Sequence, residues 1–192
     1  MTVSTHLPGL VTGENIDVPR AMAVRPTFEA VYREHFAFVW RSARRLGVPP
    51  GALDDIVQEV FVVVHRRLAC FEGRSSLRTW LFGITLRVAR DHRRSAGARP
   101  HEPLDVDLLP APGGPREALE KAEAVALLYG LLDELDDERR EVFVMAELEQ
   151  ITMPEIAATL GLNVNTAYAR LRAARQAFEA ALARHRAREA SR

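Results

Sequence analysis

The sequence predicts an all-α protein of two small helical domains joined by a flexible linker, with a helix-turn-helix in the second domain. Apolar residues recur at three- and four-residue spacing through most of the 192 residues, and no segment shows the strict alternation of a half-buried strand. A stretch rich in proline and glycine separates two such helical regions. In the second region, a short capped segment, a glycine and a longer basic segment follow one another, as in a helix-turn-helix.

Composition is typical of a globular protein of the cytoplasm. Hydrophobic residues make up 47% of the sequence, which is enough for packed cores. No segment approaches the ~20 apolar residues that a membrane span needs, so we expect a soluble chain without membrane insertion. Cys70 is the only cysteine and the six histidines are scattered, so the sequence predicts no disulfide, no metal site and no cofactor.

Charge is segregated along the chain although it sums to zero. Residues 84–99 carry five arginines and one aspartate, and residues 163–192 carry seven arginines and two glutamates. Residues 133–149, in contrast, carry eight acidic residues and two arginines. This distribution suits a protein that contacts DNA with two patches and a protein partner elsewhere.

Three helices are predicted in the first domain, residues 27–96, after a flexible leader at 1–26 that has no apolar period. The first helix covers about 28–46 and ends at a glycine and a proline pair, and the second covers 52–70. The third covers 77–94 and follows a serine placed to cap it. The inward face predicted for the first helix consists of Phe28, Val31, Tyr32, His35, Phe36, Val39, Ala43 and Leu46.

Residues 97–116 are predicted to form an acidic linker rich in proline and glycine, because they have no packing face of their own. The second helical domain then covers 117–185, and a basic tail covers 186–192. In this domain one helix passes through Val125 and Leu128, and a break follows near 133–137. A further helix carries Val142, Phe143 and Ala146.

The helix-turn-helix is the clearest functional pattern in the second domain. Thr152 and Glu155 form a capping box, Gly161 makes a turn, and Asn163 can cap the last helix. Such a helix enters the major groove and presents its first residues to base edges, where arginine suits guanine and asparagine suits adenine. The outer face predicted to contact DNA consists of Asn165, Thr166, Tyr168, Ala169 and Arg172, with Arg170 and Arg175 flanking it.

Two polar surfaces are predicted in the first domain. On the second helix, a face opposite the apolar stripe consists of Asp55, Gln58, Glu59, Val62 and Arg66. This face is either a docking surface or a merely solvated stripe, and its residues alone favour the solvated stripe.

The third helix and the loop before it carry the second surface. Basic residues beside a polar loop and aromatics suit single-stranded DNA, since backbone charge is matched while an unstacked base enters a pocket. Trp80 can stack on such a base or pack into the core, and its place in the apolar stripe favours the core. The residues of this surface are Glu72, Arg74, Ser75 and Ser76 in the loop and Arg87, Arg90 and Arg94 on the helix.

Seven segments together resemble a known family. Residues 55–61 (DIVQEVF), 71–84 (FEGRSSLRTWLFGI) and 91–94 (DHRR) are similar to conserved region two of extracytoplasmic-function sigma factors, the promoter-recognition subunits of bacterial RNA polymerase. Residues 132–135 (LDEL), 140–143 (REVF), 155–157 (EIA) and 166–175 (TAYARLRAAR) are similar to region four. The segments occur in the family's order, with the linker between the two groups.

The resemblance implies a role for each surface. Asp55, Gln58, Glu59 and Arg66 would bind the clamp helices of the largest polymerase subunit. The loop and the third helix would open and read the minus-ten promoter element, and the helix that begins near Asn165 would read the minus-thirty-five element as duplex. The implied partners are core polymerase, including the flap of its second-largest subunit, promoter DNA and an anti-sigma factor.

The chain departs from the family pattern at two places. Leucine and arginine stand at positions 86 and 87, where many members have arginine and asparagine, so the preferred minus-ten base is not carried over. Ala167, Tyr168 and Ala169 replace a common valine-lysine-serine run, so the minus-thirty-five sequence is not carried over either.

Two other classes of function compete with this interpretation. A stand-alone helix-turn-helix regulator would bind a palindromic operator as a dimer, but it gives the first domain no role. An enzyme acting on DNA would need clustered carboxylates or metal ligands beside the basic surface, and the sequence has none there. We therefore expect a protein that is not an enzyme.

Overall fold

A computed structural model describes residues 26–96 and 115–191, and all regular structure in these residues is helical. The leader and most of the linker lie outside this range, so what the sequence predicts for them stays a prediction. Short 3-10 turns, Pro50–Ala52 and Leu68–Cys70, flank the second helix. The helices are α1 (Phe28–Arg45), α2 (Leu53–Arg67), α3 (Leu77–Ala96), α4 (Pro115–Asp133), α5 (Asp137–Phe143), α6 (Met153–Leu160) and α7 (Val164–Ala190).

Helices α1, α2 and α3 pack against one another as a first bundle. Thr27 caps α1 by accepting a hydrogen bond from the amide of Ala30, and Asp54 and Asp55 lie in the first turn of α2, where the helix dipole favours carboxylates. The core of the bundle is formed by Val31, Val39, Ala43, Leu46, Ile56, Val57, Val60, Phe61, Val64, Leu81, Phe82, Leu86 and Val88.

The inward face predicted for α1 is partly wrong. Val31, Val39, Ala43 and Leu46 are buried as expected, but Tyr32 is 44% exposed. Tyr32 lies at the edge of the apolar stripe, and no third helix among residues 26–96 and 115–191 covers that edge.

Helices α4 to α7 form a second bundle in which α5 and α6 pack on the long helix α7. Asp136 caps α5 by accepting a hydrogen bond from the amide of Arg139, and the helix continues beyond Phe143 as one π turn, Val144–Leu148. The ring of Phe143 stacks on that of Phe178 with their centroids 4.5 Å apart, which joins α5 to α7. The residues predicted as a basic tail continue α7 as helix through Ala190.

Arg140 joins these helices from inside the second bundle. Its guanidinium donates hydrogen bonds to the carbonyls of Leu132 (2.8 Å) and Leu135 (2.9 Å), which lie where α4 ends. The carbonyl of Leu132 also accepts a hydrogen bond from the amide of Leu135 at 3.1 Å. Burial lowers the pKa of Arg140, while Asp133 and Asp137 act in the opposite direction. Arg140 thus closes the end of α4 with a charged side chain.

The two bundles lie against each other. Their buried apolar residues form one contiguous cluster, and α1 contacts α4 directly. Gly47 has a φ of +86°, and a Cβ there would stand 2.0 Å from Nη1 of Arg140, so only glycine fits between the bundles. Much of the acidic stretch 133–149 faces arginines of the first bundle, so the segregated charges partly pair within the chain.

No helix among residues 26–96 and 115–191 combines the length and the apolar character that crossing a membrane requires.

The buried position of Arg140 yields a prediction about stability. We expect Arg140→Ala to lower the free energy of unfolding by about 3 kcal/mol, because the carbonyls at the end of α4 lose a charged donor in a buried place. Arg139→Ala is the matched control. Its side chain is 46% exposed and pairs with Asp136 at the surface, so we expect a loss within about 0.5 kcal/mol. Urea denaturation followed by circular dichroism measures both, and equal losses would contradict the role of Arg140.

Candidate nucleic-acid and protein interfaces

The polar residues predicted on α2 all lie at its surface. Asp55, Gln58, Glu59 and Arg66 are exposed, and we call these four residues the α2 face. They are spaced by three, one and seven residues, so they share one side of the helix, opposite the buried stripe of the core. Val62 lies among them and is 42% exposed.

An aromatic groove borders the α2 face. This aromatic groove lies between α1 and α2, and its floor consists of Phe28, Tyr32, Phe36 and Phe61. The ring centroid of Tyr32 is 4.7 Å from that of Phe61 and 5.5 Å from that of Phe36. Gln58, Val62 and Arg66 line the same groove, so the polar face and the aromatic floor form one continuous surface. The sequence analysis missed the groove because it placed Tyr32 in the core.

The loop before α3 presents its polar side chains on a fixed base. Ser76 caps α3, as expected, by accepting a hydrogen bond from the amide of Thr79 at 3.0 Å. Glu72 and Arg74 are exposed and pair with each other, while Ser75 is half-buried. Trp80 packs against the core and its ring lies 5.2 Å from that of Phe71, centroid to centroid. The aromatic pair therefore anchors the loop to the bundle.

The arginines predicted on α3 lie on one side of the helix, but their surroundings differ. We call Arg87, Arg90 and Arg94 the arginine face. Arg87 and Arg94 are exposed, and Arg94 pairs with Asp91 in its own helix. Arg90 is half-buried, and its guanidinium donates two hydrogen bonds to Glu141 of α5, one of them at 2.8 Å. The hydrogen bond to Glu141 raises the pKa of Arg90.

Leu86, where the chain departs from the family pattern, is buried and 2% exposed. Its neighbour Arg87 is exposed. The departure at 86 therefore falls on a core position, and only the departure at 87 changes the chemistry of the surface.

The helix-turn-helix is built as the sequence predicts. The amide of Thr152 donates to the carboxylate of Glu155 at 3.2 Å, which fixes the start of α6. Gly161 has a φ of +68°, a left-handed conformation that glycine adopts without strain, and it turns the chain toward α7. Asn163 caps α7 by accepting a hydrogen bond from the amide of Asn165 at 2.8 Å.

The first turns of α7 expose most of the predicted DNA-binding residues. Ala167, Leu171 and Ala174 are buried, as expected, so the opposite side faces solvent. Tyr168 has the largest apolar surface there, at 55% exposure. The predicted residues that lie at the surface are Asn165, Thr166, Tyr168, Ala169, Arg172 and Arg175.

The two flanking arginines form ion pairs within the second bundle. The side chain of Arg170 is only 20% exposed and pairs with Glu138 of α5 at 2.9 Å. Arg175 is exposed and its Nε donates to Glu147 at 2.8 Å. Arg172 has no such carboxylate among the ion pairs described, so it is the arginine of this face best placed to reach a base.

Within the described ranges, no three histidine, cysteine, aspartate or glutamate residues lie together in a way that could hold a metal ion.

Comparison with known families matches both bundles. Residues 31–99 match Sigma-70 region 2, and residues 126–178 match Sigma-70 region 4. The first match extends from Val31 in α1 through the end of α3, and the second extends from the second half of α4 to Phe178 in α7. Each matched region thus falls within one bundle.

Curated relatives are similar over most of the chain. The ECF RNA polymerase sigma factor SigE of Mycolicibacterium smegmatis is 30% identical over 172 residues, which are 88% of this chain and 66% of that protein. The ECF RNA polymerase sigma-E factor of Escherichia coli is 30% identical over 143 residues, which are 69% of this chain and 74% of that protein.

Solved structures share the fold. CnrH, solved in complex with the cytosolic domain of CnrY, is 28% identical with a TM-score of 0.58 over 81% of this chain and 86% of CnrH. The sigma factor RpoE of Bartonella quintana, solved with the anti-sigma factor NepR, is 21% identical with a TM-score of 0.62 over 81% of this chain and 96% of RpoE. Two matched regions in the family order, and relatives of this extent, lead to one conclusion: the chain belongs to the ECF family of RNA polymerase sigma factors, which direct promoter-specific initiation of transcription.

Proposed function

We propose that this chain divides promoter recognition among three surfaces, each held by a different set of helices. The α2 face and the aromatic groove bind the clamp helices of the largest subunit of core polymerase. The arginine face and the loop before α3 open and read the minus-ten element. The exposed side of α7 reads the minus-thirty-five element as duplex, with its bundle held near the flap of the second-largest subunit.

One observation carries this proposal: the three surfaces differ in chemistry. The α2 face and groove combine carboxylates with exposed Tyr32 and Val62, which suits a protein and not a phosphate backbone. The arginine face lies on the helix that follows a loop anchored by Phe71 and Trp80, and this combination of cations and aromatics suits unpaired strand. The start of α7 exposes polar side chains and Arg172 on a capped helix, which suits the edges of paired bases.

Energetics require core polymerase as a partner. Separating about five stacked base steps costs roughly 7 kcal/mol at a mean near 1.4 kcal/mol per step. Trapping one or two bases by stacking returns only about 1–3 kcal/mol each. The remainder comes from the contact with the enzyme. The chain itself is a recognition subunit and not an enzyme, and it works in the cytoplasm with the polymerase.

An anti-sigma protein is the second partner that we propose. CnrH, a structural relative, was solved with the cytosolic domain of a second protein. The aromatic groove offers such a partner an apolar surface between α1 and α2, and Gln58 and Arg66 line its border. A helix that presents an apolar stripe fits a groove of this kind. Because the groove is continuous with the α2 face, its occupant would exclude polymerase.

The central experiment is reconstituted transcription. We expect the purified chain together with core polymerase to start RNA at discrete sites on genomic DNA, because the chain supplies both promoter contacts. Sequencing the transcripts identifies those sites and the two elements upstream of them. The control is core polymerase alone, and the same start sites in both reactions would contradict the proposed function.

The role of the α2 face is tested by removing its two carboxylates. We expect Asp55→Ala with Glu59→Ala to weaken binding to core polymerase at least tenfold, which corresponds to about 1.4 kcal/mol, since both side chains are exposed and neither is needed by the core. Glu120→Ala with Glu123→Ala removes the same charge from an exposed side of α4 and should leave the affinity unchanged. Equal affinities for the two double variants, measured by fluorescence anisotropy, would remove the α2 face from the interface.

The role of Arg172 is tested by selectivity rather than affinity. We expect Arg172→Ala to lower discrimination at one base pair of the minus-thirty-five element by about 1–3 kcal/mol, the contribution of one good side chain–base contact. Arg186→Ala removes an equal charge from an exposed position further along α7 and should weaken binding evenly across sequences. Binding of the holoenzyme to a library of upstream elements measures both, and an even loss for Arg172→Ala would make it a phosphate contact.

A further inference from the structure

The contact between the two bundles has one sign of charge on each side. In the described residues, every ion pair between the bundles takes its arginine from the first and its carboxylate from the second. Arg44 also lies over the ring of Tyr129 at 4.6 Å. The interbundle ion pairs are Arg44–Asp133, Arg45–Glu149, Arg78–Glu149, Arg90–Glu141, Arg93–Asp137 and Arg93–Glu141.

Two of the carboxylates are buried by this contact, unlike those of ordinary surface pairs. The side chains of Glu141 and Glu149 are each 3% exposed, and each contacts two arginines of the first bundle. Glu149 lies 2.6 Å from Arg45, and Glu141 lies 3.0 Å from Arg93. A buried carboxylate is stable only while its cations are in place, so withdrawal of either partner strongly favours separation.

Glu141 holds Arg90, which belongs to the arginine face. A carboxylate meets the guanidinium by two parallel hydrogen bonds, the geometry by which arginine also binds a phosphate. Arg87 and Arg94 are exposed, but they line a cleft that is also lined by Asp137 and Glu138 of α5. In this arrangement a nucleic acid strand would meet negative charge where it needs positive charge.

We infer that Glu141 is a latch that keeps the chain closed in the absence of its partners and masks the arginine face from unpaired DNA. The inference has two halves. The conformational half, that Glu141 keeps the bundles together, rests on the ion pairs alone. The functional half, that this contact masks the arginine face, rests on the proposed role of α3 in minus-ten binding. A DNA strand and Glu141 compete for the same guanidinium, so binding of the strand requires the bundles to separate. A second ion-pair centre, Glu149 with Arg45 and Arg78, also joins the bundles and shares no residue with the first.

The conformational half is tested by the distance between the bundles. Dyes on the exposed native Cys70 and on a cysteine introduced as Gln176→Cys in α7 report that distance by energy transfer in the full chain. We expect Glu141→Gln to lower the transfer efficiency and to raise the open-to-closed ratio at least tenfold, because the substitution removes the charge that accepts hydrogen bonds from both Arg90 and Arg93. Arg93→Gln breaks the same latch from the first bundle and should open the chain similarly.

Glu134→Gln is the matched control, because it removes the same charge from the same acidic stretch. Glu134 pairs with Arg184 inside the second bundle, so the distance should not change. Circular dichroism verifies that each variant keeps its helices. Because one variant changes each bundle, the test remains valid if one of the two variants misfolds. Transfer efficiencies equal to that of the parent chain in both Glu141→Gln and Arg93→Gln would overturn the latch.

The functional half is tested by binding of a short single-stranded DNA of mixed sequence to the free chain. We expect Glu141→Gln to bind it up to tenfold more tightly than Glu134→Gln, since only the former releases Arg90. If Glu141→Gln opens the chain without tighter binding than the control, masking is refuted. Failure of the proposed function is a separate result, because it appears as absent promoter-specific transcription whatever the distance between the bundles.

Discussion

Burial of two carboxylates between the bundles is the constraint on which the rest of the arrangement depends. Glu141 and Glu149 have almost no contact with solvent, and each is surrounded by arginines that belong to the other bundle. Removing a carboxylate from water costs several kcal/mol, and that cost is offset only while the geometry of both arginines is maintained. The orientation of the second bundle is therefore set by charge as well as by shape. The apolar contact of α1 with α4 and the close approach of Arg140 to Gly47 supply the shape, and the ion pairs add directional contacts.

The elements and most of the surfaces could be predicted because they depend on local chemistry. Ser76, Thr152 and Asn163 cap helices through bonds to residues two or three positions away, which a sequence shows directly. The exposure of Asp55 and Glu59 follows from their position opposite an apolar stripe on the same helix. The capping residues, the apolar stripes and the turn glycine all indicate the same helix boundaries, so the sequence predicts these helices directly.

The remaining features depend on which helix covers which edge, and no local spacing encodes that. Tyr32 occupies an inward position by period, but its side chain is exposed, since none of the described helices covers the edge of the stripe where it lies. Arg170 occupies an outward position, but α5 approaches that side of α7 and Glu138 forms an ion pair with Arg170. The pairing of Arg90 with Glu141 joins residues 51 positions apart. The segregation of charge was the available signal for it, and that signal does not say whether a basic segment meets DNA, another protein or an acidic segment of its own chain.

The same guanidinium chemistry explains why one face can serve both states. Arginine binds carboxylate and phosphate with the same planar fork, so a surface built for a DNA strand is also a surface on which a well-placed glutamate fits. With a net charge of zero, the chain can neutralise its own basic surface, and this limits attraction to random DNA. Salt weakens the exposed ion pairs of the closed chain and the phosphate contacts of the bound one in the same direction. The equilibrium between the closed chain and the DNA-bound chain is therefore less sensitive to salt than the number of phosphate contacts alone would imply. It is governed chiefly by partners that bind only one of these two states.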